Sequence, residues 1–141
     1  GLYRSEDGGR SFALLTRQVG ASVHGMEVTA DGTLIAADPA QGLLIGADDG
    51  RILRRPLRGE GLVDVALAPE QPGLVLAAGP GLYVSRDGGR RFTPALPEAR
   101  LAAVAIAPSD PDRAYAIRDD GAVFTSADGA RTWSAVEGRE G

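Results

Sequence analysis

The chain has 141 residues, 43% apolar and 24% charged, an ordinary balance for a folded globular protein and not that of a disordered tail. Its formal net charge of −4 comes from fifteen arginines, no lysine and nineteen carboxylates, so the basic footprint of a nucleic-acid binder is missing. Cysteine is absent, which removes disulfides, thiol catalysis and zinc-thiolate sites together.

From the N-terminus, the first phrase is GLYRSEDGGRSF, Gly1 to Phe12. It carries charges where a signal peptide needs an apolar run, and no later stretch approaches the roughly 18 to 20 apolar residues of a membrane span. The only methionine is Met26, so the chain reads as a piece processed or cut from a longer protein. A cysteine-free sequence suits a reducing or an oxidising compartment; an extracytoplasmic one is the favoured expectation.

The first phrase returns as GLLIGADDGRIL (Gly42 to Leu53), GLYVSRDGGRRF (Gly81 to Phe92) and AVFTSADGARTW (Ala122 to Trp133). The serine-equivalent positions Ser5, Gly46, Ser85 and Ser126 are spaced 41, 39 and 41 apart. An aspartate follows two residues later (Asp7, Asp48, Asp87, Asp128) and an arginine five residues later (Arg10, Arg51, Arg90, Arg131). A fixed register over four copies is the mark of a repeat architecture.

A second block precedes three of the copies: Val23 to Ala37, Leu62 to Ala78 and Leu101 to Ile117. Each is two apolar runs around a turn, Ala-Asp-Gly in the first and Ala-Pro-x-x-Pro in the others. Proline fixes φ and lacks an amide donor, so it is placed in the connection and outside the ladder. In the last unit the expected strands are Ala102 to Ala107, Ala114 to Ile117, Ala122 to Ser126 and Thr132 to Val136. The first two strands of each unit are the more apolar, which predicts burial decreasing from the first strand to the fourth. No window has the apolar face of a helix free of Gly or Pro.

Four short strands per roughly 40 residues is the signature of a β-propeller blade. The chain is therefore expected to be all-β and a single propeller segment: an outer half-blade at 1–20 and blades at 21–60, 61–99 and 100–141. These are about three and a half blades of a ring of about six to eight. The rest of a parent chain, or self-association, would complete the ring.

Ser-x-Asp-x-Gly-x-Thr-Trp resembles the Asp-box of the bacterial neuraminidase repeat, found in sialidase-like propellers and in photosystem II stability and assembly factors. Ser5, Asp7, Gly9, Ser11 and Phe12 fit it with conservative changes. Ser85, Asp87, Gly89 and Phe92 fit with Arg91 in place of Thr; Ser126, Asp128, Thr132 and Trp133 fit with Ala130 in place of the second Gly. Asp48 and Gly50 keep the pattern in a copy degenerate at Gly46, Ile52 and Leu53. The resemblance implies that these loops lie at the blade periphery, away from any catalytic cleft. The residues agree: an aspartate heading a hairpin loop accepts amide hydrogen bonds that the turn removes from the ladder. The aromatic that follows can pack between sheets.

The remaining candidates are few. His24 is the single histidine, with Glu27 its nearest carboxylate in sequence, and alone makes no metal site; it reads as a packed or half-exposed strand residue. Arg51, Arg54, Arg55 and Arg58 are a candidate site for an anion or an acidic partner, balanced against a charged outer strand that blunts edge pairing. Asp110, Asp112, Asp119 and Asp120 match no calcium loop. Sialidase chemistry needs an arginine triad with a Tyr–Glu pair, and other glycosidases need paired carboxylates. Tyr3 and Tyr83 share one strand position with Leu44 and Phe124, so they read as architecture, and Tyr115 lies between alanines in a strand. The expectation is a scaffold without cofactor, metal or catalytic residues that binds protein or carbohydrate, the alternative being a fragment of a secreted glycoside hydrolase.

Overall fold

In a computed structural model, residues 1–17, 23–59, 61–96 and 99–136 are described. They form fourteen strands: β1 (Leu2–Arg4), β2 (Ala13–Thr16), β3 (Gly25–Val28), β4 (Leu34–Asp38), β5 (Gly42–Gly46), β6 (Ile52–Leu57), β7 (Asp64–Leu67), β8 (Val75–Ala78), β9 (Leu82–Ser85), β10 (Thr93–Leu96), β11 (Leu101–Ala107), β12 (Asp110–Arg118), β13 (Val123–Ser126) and β14 (Ser134–Val136). None of the described residues is helical. The expected unit boundaries at residues 20 and 60 lie outside the described residues.

The strands make one two-stranded sheet, β1-β2, and three four-stranded antiparallel meanders, β3-β4-β5-β6, β7-β8-β9-β10 and β11-β12-β13-β14. We number these sheets one to four. Because the side chains alternate along each strand, every sheet has two apolar faces to cover. Ile35, Ala37, Leu43 and Ile45 of the second sheet pack on Val65, Val75 and Ala77 of the third. Leu76, Ala78, Leu82 and Val84 on the other face of the third sheet pack on Val104, Ile106, Ala114 and Ala116 of the fourth. The sheets thus stack face to face, with the first strands β3, β7 and β11 side by side along one edge of the stack.

Burial does not fall from the first strand to the fourth as the apolar runs predict. The middle strands β4, β5 and β8 are buried throughout, whereas Met26, Glu27 and Val28 of the first strand β3 are exposed. Strands β4, β5 and β8 have a strand on each edge and a neighbouring sheet packed over them, whereas β3 is an edge strand of its sheet.

The Ala-Pro-x-x-Pro connection also differs in its second occurrence. Strand β12 starts at Asp110, so Pro111 lies inside it, against the expectation of a strand at Ala114 to Ile117. The register explains this: Ala107 pairs with Asp110 and Ile106 with Ala114, leaving Pro111 to Arg113 in a bulge where no ladder donor is required. Pro56 and Pro94 sit on the outermost strands β6 and β10, beside register shifts, for the same reason.

Candidate functional site

In a meander, successive turns alternate between the two ends of the sheet. The turns joining strands one to two and three to four share one end; those joining two to three share the other, with the segments that lead into each first strand. Main-chain bonds bear this out: Gly88 N–H donates to Gly73 O and Gly129 N–H to Asp112 O, both 3.0 Å, tying the outer loops to the first turns. At the opposite end Gly61 N–H donates to Pro39 O and Leu101 N–H to Gly79 O, both 2.7 Å, linking each sheet to the one before.

The Ser-x-Asp loops occupy the first of these ends. In the third sheet Ser85 Oγ donates to Asp87 Oδ1 (2.8 Å) and accepts from Gly89 N–H (2.8 Å), while Arg90 and Arg91 N–H donate to Asp87 Oδ1 at 3.0 and 2.9 Å. Ser5 and Asp7 repeat this with Gly9, Arg10 and Ser11; Ser126 and Asp128 repeat it with Ala130, Arg131 and Thr132. The carboxylates are consumed by the loop's own amides and hydroxyls. Hydrogen bonds from the Ser11 hydroxyl and amide and from the Ser5 hydroxyl pull the Asp7 pKa down to about 2, and those from Thr132, then Ser126, depress Asp128 further. Asp87 is lowered by the Arg91 amide and the Ser85 hydroxyl.

The aromatics of these loops behave differently from one another. Phe92 packs on the core between sheets two and three, and Trp133 on that between three and four, its Nε1–H donating to Ala130 O at 3.2 Å. Phe12 is 63% exposed.

The second copy folds in another way. Gly46 has no hydroxyl to organise the loop, and the connection shortens to a tight hairpin with Ala47 N–H on Arg51 O and Gly50 N–H on Ala47 O, both 2.9 Å. The carboxylate at work is Asp49, accepting Arg51 N–H at 2.9 Å, and not Asp48 as the register predicts. Asp48 contributes its carbonyl, which takes Arg4 Nη1 at 2.8 Å across to the first sheet. Gly50 packs against Leu15 and Thr16 of β2.

Of the arginine cluster, Arg54 and Arg55 lie on the outermost strand β6 and Arg58 just beyond it; all four, Arg51 included, are exposed. Arg54, Arg55 and Arg58 border a shallow depression of about 430 Å³ with Ile52 and Leu53, and Arg51 lies outside it. Among the described residues none of the four has a carboxylate within 4.0 Å.

A concavity of about 920 Å³ lies at the end away from the Ser-x-Asp loops, on the segments leading into β3, β7 and β11 and the turns between second and third strands. His24, Pro39, Val63, Pro80, Arg100 and Asp119 line it, with small residues between them. His24 is exposed and stands one residue before β3, a rim position, where the sequence predicts a packed or half-exposed strand residue. Arg100 Nε approaches Asp119 Oδ2 at 4.0 Å, and Asp119 N–H donates to Arg100 O at 3.0 Å. Asp120 instead pairs with Arg118, which lowers its pKa to about 2. No group of three or more His, Cys, Asp or Glu among the described residues is placed to hold a metal.

Sequence reasoning missed this groove because its residues come from three sheets and from connections whose lengths differ between repeats. It also missed the acidic neighbours Glu27 and Asp64 on the first strands. Partial burial raises the Glu27 pKa and the Asp64 charge adds to it. Asp64 has both oxygens engaged by amides, Oδ1 by Val65 and Oδ2 by Val104 (2.9 and 3.0 Å), which marks it as a structural anchor. The available signal was that Glu27 replaces the alanines at Ala66 and Ala105 in the repeat.

No family model matches the sequence, and no curated protein is similar to it at a significant level. Solved structures are similar in fold. An ancestral GH74 enzyme has a TM-score of 0.69 and 21% identity over 87% of this chain and 19% of its own. YCF48 bound to D1 peptide has a TM-score of 0.66 and 14% identity over 81% of this chain and 40% of its own. The β-propeller domain of Cps50 (Swd1) from Myceliophteria thermophila has a TM-score of 0.65 and 12% identity over 84% of this chain and 40% of its own. The chain therefore spans well under half the length of these structures. At such identities the shared property is the fold: an all-β propeller segment of four-stranded blades.

Proposed function

We propose that the chain is a segment of a non-catalytic propeller of Asp-box repeats, and that the groove around His24, Arg100 and Asp119 holds an extended segment of a partner protein. The observation that carries this reading is the make-up of the groove. Its walls are mainly small and apolar (Ala40, Val63, Leu101, Ala102), with one cation, one carboxylate and one imidazole at the rim. An apolar cleft with a few spaced polar groups is the common form of a binding site. Glycoside hydrolysis uses two facing carboxylates, and the lining of this groove supplies one. The similar structure of YCF48 with a peptide bound lends the reading an analogy of fold, and the GH74 structures lend the same to the hydrolase alternative.

The test is selection of a displayed random-peptide library on the immobilised chain, followed by fluorescence polarisation with the selected peptides. Ala102→Trp, which fills the groove, and Arg100→Glu should each weaken binding at least about tenfold, the scale expected when a central contact is removed. Binding indifferent to both but lost in Arg54→Glu/Arg55→Glu would move the site to β6. Turnover of a fluorogenic sialoside or glucan would overturn the non-catalytic reading.

A further inference from the structure

We propose that the outer edge of the second sheet is a separate docking site, which takes a short acidic segment of a partner protein. Carboxylates of that segment pair with Arg54, Arg55 and Arg58, and an apolar side chain beside them enters a small cavity that Arg58 borders. The inference does not rest on the groove. It starts from a difference between strands that hold the same place in their sheets.

Strands β2, β6, β10 and β14 are the outermost of their sheets. The other three have three or four residues and no charged side chain, whereas β6 has six and carries Arg54 and Arg55. Charge on an edge strand can serve to keep it from pairing with other edges. That need is common to all four strands, and three meet it without charge; β6 itself already has Pro56 for the purpose. The arginines are therefore surplus to that role.

From Arg51 to Arg58 there are four arginines in eight positions, and no carboxylate stands between Asp49 and Glu60 in the sequence. Four arginines elsewhere have acidic partners: Arg4 with Glu6, Arg100 with Asp119, Arg113 with Asp110 and Arg118 with Asp120. On a chain of net charge −4 the β6 cluster is a positive island. A long polyanion laid across it would meet the surrounding negative charge, whereas a short acidic segment touches the island alone. A guanidinium holds a carboxylate through two parallel N–H donors, and arginine clusters are a recurrent means of binding acidic motifs.

The shape of the edge agrees with its charge. Besides the depression of about 430 Å³, Arg58 borders a cavity of about 200 Å³ between the second and third sheets, walled by Leu57, Leu62, Pro80 and Tyr83. Arg54 and Arg58 are four positions apart, at most about 13 Å of extended chain. About four residues of an extended ligand therefore reach from the first arginine to the last. The residue after them stands at the cavity, where an apolar side chain is the anchor and the ion pairs form the rim.

Fluorescence polarisation with a fluorescein-labelled peptide, Gly-Asp-Glu-Asp-Glu-Leu-Gly, tests this at low salt. The wild-type chain should bind it, and added salt should weaken binding because exposed ion pairs are screened. Arg54→Glu/Arg55→Glu should weaken binding at least about tenfold with unchanged far-ultraviolet dichroism, and Arg54→Lys/Arg55→Lys should retain part of it. Serine in place of the peptide's leucine should cost a similar factor on the unaltered protein, a readout that no folding defect can imitate. Ala102→Trp, which fills the groove, should bind the acidic peptide as the wild type does. No binding, or binding indifferent to the glutamate pair or to the leucine, would overturn the proposal. So would tighter binding of single-stranded DNA than of the peptide, or loss in Ala102→Trp with retention in Arg54→Glu/Arg55→Glu, which would place the peptide in the groove.

Discussion

Asp64 on β7 accepts the amide of Val104 on β11 at 3.0 Å, a bond between the first strands of adjacent sheets forty positions apart. Val104 is 7% exposed, and β11 has no further strand on that edge. The carboxylate does there what a neighbouring strand would do, while its other oxygen takes Val65 N–H on its own strand. The approach is close enough that a side chain at Gly25, the same repeat position on β3, would begin 2.7 Å from the Asp64 Cα. Glycine at position 25 is thereby explained by space. Asp64→Ala should leave the Val104 donor unpaired and lower stability by about 1 to 3 kcal/mol, the usual cost of an orphaned buried amide. Asp64→Asn, which keeps one acceptor, should fall between. Urea midpoints at pH 7 measure both, and an unchanged midpoint in Asp64→Ala would refute the anchoring role.

The loop aspartates set an acid limit. A carboxyl whose folded pKa is depressed contributes stability above its unfolded pKa and loses it as pH falls through the folded one. Asp7 falls from 3.8 to about 2, and Asp87 and Asp128 shift the same way. The melting temperature should hold above about pH 4 and drop between about pH 4 and pH 2 as these groups protonate. Asp128→Asn should flatten that limb; a limb unchanged in the variant would show that the loop carboxylates do not set it.

The third loop is incomplete in a way that predicts a gain. Ser11 Oγ donates to Asp7 Oδ2 at 2.6 Å and Thr132 Oγ1 donates to Asp128 Oδ2, whereas Arg91 at the same position offers Asp87 only its amide. Arg91→Thr should add that hydroxyl bond, lower the Asp87 pKa below its present value and raise the melting temperature at pH 7. Carboxyl carbon chemical shifts followed through the titration would detect the change. An Asp87 titration unmoved by the substitution would mean that the threonine does not reach the carboxylate.

How far the sequence led is seen best at such positions. The four-strand unit, the hairpin turns and the alternation of faces follow from local patterns that a single repeat already contains. The change of carboxylate from Asp48 to Asp49 turns on one missing hydroxyl at Gly46, which fixed spacing does not register. Pro111 within β12 depends on a bulge decided by pairing with β11. The groove and the Asp64–Val104 bond exist only once sheets are stacked, so no periodicity along one strand announces them.

Glu27 stands where the other repeats have alanine, and its pKa is raised by partial burial and then by Asp64. Here the sign is reversed: a carboxyl with a raised folded pKa is penalised above that pKa and relieved as pH falls below the unfolded value. Glu27→Gln should therefore raise the melting temperature at pH 7, with the advantage disappearing by about pH 4, where both states of the wild-type residue are largely protonated. An equal gain at both pH values would assign the effect to packing and not to charge.

Ala130 is the single described residue other than glycine with a positive φ, 68°, at the position filled by Gly9 and Gly89 with φ of 89° and 90°. A left-handed backbone costs an L-residue about 1 to 2 kcal/mol. Against this, the Ala130 methyl is 2% exposed in the core between sheets three and four, and burying it returns about 0.8 kcal/mol. The strain is the larger quantity, so Ala130→Gly should be neutral to stabilising by up to about 1 kcal/mol. Gly89→Ala runs the exchange in reverse. Its new methyl would meet Ile45 Cδ1 at 3.4 Å without a clash, so the backbone decides the sign and the variant should lose up to about 1 kcal/mol. Denaturant midpoints moving in opposite directions for the two substitutions are the expected result. A loss in Ala130→Gly would show that the buried methyl, and not the left-handed turn, governs the loop.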